Sequence, residues 1–421
     1  MMLIRAALAS RPARALRRIR AALVSHSARA LRRIHAFLAS HSNRALRRVL
    51  TLMAEPLVAV LLSMLIGGVL IWLFSGLLPG HSAFDLGLPV AAYGALLSGA
   101  FGGQNAIIDT LVYSTPLILA GLGVAVGFKA GLFNIGGRGQ FLVGAIGAMA
   151  VANVIGAHTT GAITIPLALL AGAAAGALAG FIPGFLKAVS GAHEVVTTIM
   201  LNYVLVFFVN WSIVGPLSLP RAPQPMTADV SGLNAALPAI GSYGHTAHAG
   251  ILLAVVAVPL MWFLLYRTTL GFEIRSAGAN PEAARYGGMH TRTLIVLTMS
   301  LSGLMCGLAG ATTLLGVVHQ MPLGYDTTIG FDAITVALLG RSNPWGVLVA
   351  GLLLGAMRAG AQSMQIQAGV PTELVDTLQA IILLFLVVNV LRRFMARRRL
   401  NAPPPEFASI SGAAVVPGAA E

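Results

Sequence analysis

Charge is scarce in this chain. Only 10% of its 421 residues are Asp, Glu, Lys or Arg, whereas soluble domains carry about a quarter. With 57% hydrophobic residues and a mean hydropathy of +0.84, that scarcity excludes an ordinary soluble domain. Cysteine is almost absent. Cys306 alone excludes an intrachain disulfide and a cysteine-based metal cluster, and in its apolar run it reads as a small packing residue. Signatures of covalent chemistry are missing too. There is no His-Glu-x-x-His and no Gly-x-Ser-x-Gly. GLGVAVGFKA at 121–130 has the glycines of a phosphate loop, but Ala130 follows Lys129 where Ser or Thr is required. No enzymatic activity, metal or cofactor is expected on this chain, and any ATP and Mg would be handled by a separate one. Acids avoid the span interiors: Asp109, Glu194, Asp332, Glu373 and Asp376 fall near the ends of apolar runs. Ion- or proton-coupled carriers usually keep several ionisable groups inside their spans, which weighs against such a transporter of a small solute and leaves it as the alternative function.

Basic charge is present but unevenly placed. The formal net charge is +14, yet residues 1–50 hold 12 Arg and no acid, and 392–399 hold five more Arg. The body between them is near neutral. That distribution does not describe a nucleic-acid surface, and no nucleic-acid partner is expected. It matches the basic bias of cytoplasmic flanks, so both termini are expected in the cytoplasm. The first tail is repetitive: ARALRRI at 13–19 and 28–34, then NRALRRV at 43–49. Leu16, Ile19 and Leu23 share one helical face, with Arg opposite. Residues 1–52 thus read as an amphipathic segment for anionic membrane lipid, as a fluctuating tail, or as sequence upstream of a true start at Met53.

The middle, 53–392, is an all-α polytopic membrane domain. Apolar runs of the ~20 residues needed to cross a bilayer lie at about 57–78, 109–128, 138–157, 164–186, 195–215, 248–266, 293–316 and 373–391. Residues 89–104 carry Gly94, Gly99, Gly102 and Gly103 and read as an interfacial segment. For both tails to lie on one side, 332–366 must return to the side it left, splitting at Arg341-Ser342-Asn343-Pro344 into a short and a longer piece. The expectation is about ten transmembrane helices, one of them short or re-entrant. Residues 393–421 form a basic, then Pro-, Ala- and Gly-rich tail.

Polar sequence is concentrated in a few places. In RTTLGFEIRSAGANPEAARYGGMHTR at 267–292, a short helix is marked at both ends. Asn280 is a good N-cap, Pro281 suits the first helical position, and Glu282 complements the helix dipole. Gly287 and Gly288 end it after Tyr286. With Arg267, Arg275, Arg285 and Arg292 around it, this is a cytoplasmic knob suited to a soluble partner, or simply a well-made turn. Two further clusters interrupt apolar sequence: FNIGGRGQ at 133–140 and HEVVTTIMLNY at 193–203. In the second, Glu194, Thr198 and Asn202 make one helical stripe. Such groups either line a pore or bond helices together. Phe133, Asn134, Gln140, Glu194, Thr198, Asn202 and Tyr203 are the candidate pathway residues.

GLFNIGGRGQ (131–140), HEVVTTIMLNY (193–203), GFEIRSAGANPEAARYGGM (271–289) and GFDAITVALLGRSNPWG (330–346) occur in an order and spacing that resemble one family. It is the permease subunit of ABC importers of the ribose and branched-chain amino acid type. The nearest branch serves nucleosides and simple sugars through basic-membrane-protein-type lipoprotein receptors. The resemblance spans about 55–392. It implies a multi-pass protein of the bacterial plasma (inner) membrane that moves solute by alternating access. It also implies a cytoplasmic ABC ATPase, a second homologous or identical permease chain and an extracytoplasmic solute-binding lipoprotein as partners. By position, Arg275, Gly278, Asn280, Pro281, Glu282, Ala284, Arg285, Gly287 and Gly288 match the loop that contacts the ATPase. Two positions depart from the family pattern: Arg138 stands where an acid is common, and His193 where Asn is usual.

Overall fold

The computed structural model describes residues 58–77, 82, 84–240 and 247–400. The Arg-rich repeat of 1–52, Met53 and residues 401–421 lie outside them. The described chain is helical apart from its connections and one small ribbon. Helix α1 (Val58–Leu77) is followed by α2 (Gly87–Phe101), α3 (Gln104–Lys129), α4 (Gly137–Ile155), α5 (Gly161–Ser190) and α6 (Glu194–Val214). After a long connection come α7 (Gly250–Arg267), α8 (Thr269–Ala279), α9 (Pro281–Tyr286) and α10 (Thr291–Thr313), which runs on as a π turn, Leu314–Val318. Helices α11 (Ile329–Leu339), α12 (Pro344–Ala368) and α13 (Glu373–Leu400) complete it.

By length and composition, α1, α3 to α7, α10 with its π turn, and α12 can cross a membrane. With α13 and the short α11, they supply the ten helices that the sequence calls for. The split at 341–344 is present: Gly340 and Gly346 pack backbone to backbone, and the Asn343 side chain caps α12 by accepting from Trp345 N at 3.0 Å. Residues 89–104, read as interfacial, fall largely on α2, which is apolar but shorter than the spans. One of its glycines serves packing. Gly99 lies against Gly360 and Ser363 of α12, and Leu88, Ala92, Ala95, Leu96 and Ala100 make a buried stripe.

Close approach of small residues holds the bundle. Gly172, Gly176 and Gly180 of α5 face Gly303 and Gly307 of α10 so tightly that a Cβ at Gly307 would collide with the Gly172 and Gly176 backbones. Without a hydrophobic force between helices in lipid, this contact area is the main source of their attraction. The long connection between α6 and α7 is not free either. Thr227 N donates to Met321 O (3.0 Å), Val230 N to His319 O (3.1 Å) and Leu237 N to Leu315 O (2.7 Å). It ends in an antiparallel ribbon, β1 (Ala239–Ile240) with β2 (Ala247–His248), which no sequence pattern announced.

Candidate coupling and translocation sites

Helix α9 covers the residues that its sequence signals mark. The Asn280 side chain accepts from Glu282 N at 3.0 Å and Ala283 N at 3.1 Å, satisfying two of the orphan donors at the helix start. At the other end Gly287 N donates to Ala283 O (2.9 Å), Gly288 N to Arg285 O (3.0 Å) and Met289 N to Ala284 O (3.1 Å). Gly288 takes φ +81°, a conformation that costs glycine little. Ala284 is the buried anchor, while Pro281, Glu282, Arg285 and Gly287 are exposed. Tyr286 is 94% exposed and belongs to the same surface, although sequence reasoning did not single it out.

The neighbouring α8 was also missed in the sequence. Its signals were there: Thr268 as N-cap, accepting from Gly271 N at 3.1 Å, and Gly271, Ile274 and Ala277 as a three-residue buried spacing. Arg275 lies over the Tyr266 ring, 5.0 Å from its centroid, and donates Nε to Gly271 O. Gly278 meets the backbone of Lys129 and Ala130 where α3 ends, and a side chain there would collide with it. The α8–α9 knob is therefore seated directly on the turn that leads to α4.

That turn leads to a buried polar junction. Residues 130–136 are not helical, and Asn134 reaches the middle of α10. Asn134 Nδ2 donates to Gln140 Oε1 and Ser302 Oγ, both at 2.8 Å, while its Oδ1 accepts from Gly136 N (2.9 Å) and Gln140 Nε2 (3.2 Å). Asn202 of α6 closes the other side: its Oδ1 accepts from Gly139 N (2.9 Å) and its Nδ2 donates to Ile135 O (3.0 Å). Thr198 is buried and donates back to Glu194 O at 2.7 Å. The predicted stripe is real, and it faces the bundle. Glu194 pairs with Lys187 of α5. Phe133 packs in a tilted arrangement against Phe128 (centroids 4.9 Å), and Tyr203 is 58% exposed, away from the junction. Of the seven candidate pathway residues, the structure brings Asn134, Gln140 and Asn202 together through hydrogen bonds, with Thr198 beside Gly136.

At the same place the N-terminal ends of α4 and α11 abut. Gly137 lies against Gly330, and a Cβ on Gly330 would collide with the Arg138 backbone. Non-helical backbone precedes both helices. Arg138 now has a partner: its guanidinium grips Asp326, with Nε to Oδ1 at 2.7 Å, in the segment leading to α11. His193 only precedes α6 and makes no side-chain cap bond.

A third ion pair, between α11 and α12, also escaped sequence reasoning. Arg358, midway along α12, binds Asp332 near the start of α11 and also the Thr328 hydroxyl. Gln362, one turn further on, donates to the Tyr113 hydroxyl of α3 at 2.9 Å. The spacing of Asp332 and Arg358, 26 residues apart across a tight hairpin, could have suggested the pair. Among the described residues no group of three or more His, Cys, Asp or Glu could hold a metal.

This architecture can be set beside known proteins. The family model described as branched-chain amino acid transport system / permease component matches residues 106–387. The chain belongs to this family. The guanosine ABC transporter permease NupP of Bacillus subtilis is 39% identical over 342 residues, covering 81% of this permease and 94% of that protein. The nucleoside permease NupB of Lactococcus lactis is 33% identical, covering 79% and 90%. The glucose permease TsgB13 of Haloferax volcanii is 33% identical, covering 74% and 83%. This permease is accordingly a multi-pass plasma-membrane component of an ABC transporter, and the family implies ATPase and solute-binding partners in general.

Proposed function

We propose that this permease imports a nucleoside or a simple sugar, driven by ATP hydrolysed on separate ABC ATPase subunits. The observation that carries the solute class is the likeness to NupP along nearly all of that protein's length, with nucleoside and glucose permeases at lower identity. A second permease chain, identical or homologous, completes the pathway, and an extracytoplasmic binding lipoprotein delivers the solute. Both termini and the α8–α9 knob face the cytoplasm. The chain itself carries out no covalent chemistry and holds no cofactor.

The α8–α9 knob is the coupling element in this reading. Its exposed Glu282, Arg285 and Tyr286 meet the ATPase, and its seat on Lys129 and Ala130 passes movement to 130–136. From there Asn134 bonds to Ser302 of α10, and the Ile135 carbonyl accepts from Asn202 of α6. Alternating access then needs two arrangements of this junction with different contacts in each. The test is uptake of labelled guanosine and glucose by cells expressing the complete transporter, with an unrelated amino acid as control. Saturable uptake of one of the first two supports the reading. Uptake of the amino acid alone overturns it.

A further inference from the structure

The pair Arg358–Asp332 calls for an explanation that packing does not supply. A charged residue midway along a membrane-crossing helix is costly even when paired, and such residues usually mark a pathway. A buried ion pair is also a poor way to gain stability, because apolar residues of similar volume often do as well or better. Helices α11 and α12 already meet α3 through apolar contacts, Val336 and Val347 both touching the Gly121 position.

The pair is not sealed. The side chains of Arg358 and Asp332 keep 19% and 15% of their surface exposed. Thr328 and Gln362 beside them are exposed, and Tyr113 is partly so. Arg358 Nε itself is buried and without a hydrogen-bond partner, so only the outer part of the guanidinium is open. On this face α3, α11 and α12 together present a carboxylate, a guanidinium, an amide and two hydroxyls. By contrast, α5 and α6 expose Phe181, Phe185, Phe207, Phe208 and Trp211, a surface suited to lipid tails.

The donor set selects a ligand class. A carboxylate accepts hydrogen bonds from two neighbouring hydroxyls, guanidinium and amide groups donate to ring and hydroxyl oxygens, and Thr and Tyr do either. The Arg and Asp charges cancel, and Asp376 adds negative charge within electrostatic reach of Asp332. A neutral polyhydroxylated group fits this balance, and a phosphate does not. We propose that Thr328, Asp332, Arg358 and Gln362, with Tyr113, form a station where the hydroxyl groups of the passing solute exchange water for hydrogen bonds to the permease. This rests on the solute being a nucleoside or a sugar.

The experiment is uptake of labelled guanosine and glucose by cells expressing the complete transporter, normalised to permease abundance. Thr328→Val and Gln362→Leu alter exposed side chains and should leave abundance at the wild-type level. Each is expected to lower Vmax/KM about tenfold, the equivalent of one lost hydrogen bond to a bound group. Asp332→Arg combined with Arg358→Asp keeps a pair of opposite charges and should restore the abundance lost in Asp332→Asn without restoring uptake. Recovery of uptake together with abundance would make the pair purely architectural and overturn the station. So would Thr328→Val and Gln362→Leu proteins that both stay within about twofold of wild type. A wild-type transporter that takes up neither solute overturns the functional reading and the station with it. A working wild type with unaffected variants overturns the station alone.

Discussion

The α8–α9 knob and the junction where α4 meets α11 are built in opposite ways. In the knob, α9 is capped by residues two and three positions away, Asn280 to Glu282 and Ala283. In the junction, the partners of Asn134 and Asn202 include Ser302, 168 residues along, and Ile135, 67 residues along. The knob's caps come from near neighbours in sequence, and it presents an exposed surface. The junction exists only when four helices are already in place, and its polar groups are spent on one another. A part that must meet a soluble partner has the first design, and a part that must hold the bundle together has the second.

Substitutions can break this contrast. The largest effect is expected deep in the bundle. Gly307→Leu forces a side chain into the Gly172 and Gly176 backbones. Overpacking by even a few methylenes typically costs about 1–3 kcal/mol, and backbone collision costs more. Little monodisperse protein should be recovered in detergent, and wild-type recovery would show that the helices can separate freely. The pair Asn280→Ala with Pro281→Gly acts in the other region. It removes an N-cap worth about 1 kcal/mol and a pre-set first turn. Uptake should collapse while abundance stays at the wild-type level and melting temperature falls by no more than a few degrees. Normal uptake with normal ATPase binding would remove the coupling role.

Asn134→Ala tests the junction more gently. It strands the Gln140 amide and Gly136 N, at about 1–3 kcal/mol for buried unpaired groups. Ser302→Ala, which removes a single partner, should cost about 0.6 kcal/mol, the average for hydrogen bonds between membrane helices. Equal melting shifts for the two would mean that Asn134 is not the hub. A separate prediction concerns pH. His248, in the ribbon outside the spans, is 1% exposed and hemmed by Gly250 and Gly316. Burial, reinforced by His319, pulls it from 6.5 down to about 4. The folded state then binds fewer protons than the unfolded one between those values. Its contribution to stability is complete above about 6.5 and is lost as pH falls toward 4. Melting temperature should decline through that window, and His248→Leu should flatten the decline.

What could be read from sequence follows the same division. The span positions were legible because some twenty apolar residues have few other uses, and α9 was legible because Asn-Pro-Glu and Gly-Gly are short-range signals. The hairpin of α11 and α12 was legible from the parity of the spans together with Ser-Asn-Pro. Helix α8 was overlooked although Thr268 and a three-residue apolar spacing mark it. For α2 the sequence did not say that Gly99 lets Ser363 of another helix approach it. The stripe Glu194, Thr198 and Asn202 was visible, but not the direction in which it points. Arg358 was passed over because its partner comes from another helix.

Energy source is the most direct test of the central assignment. Labelled guanosine uptake would be measured in cells carrying the complete transporter, with ATP depleted in one arm and the proton gradient collapsed at maintained ATP in the other. Uptake that stops with ATP depletion and persists without the gradient is the predicted result. Uptake that persists without ATP and stops with the gradient would contradict it.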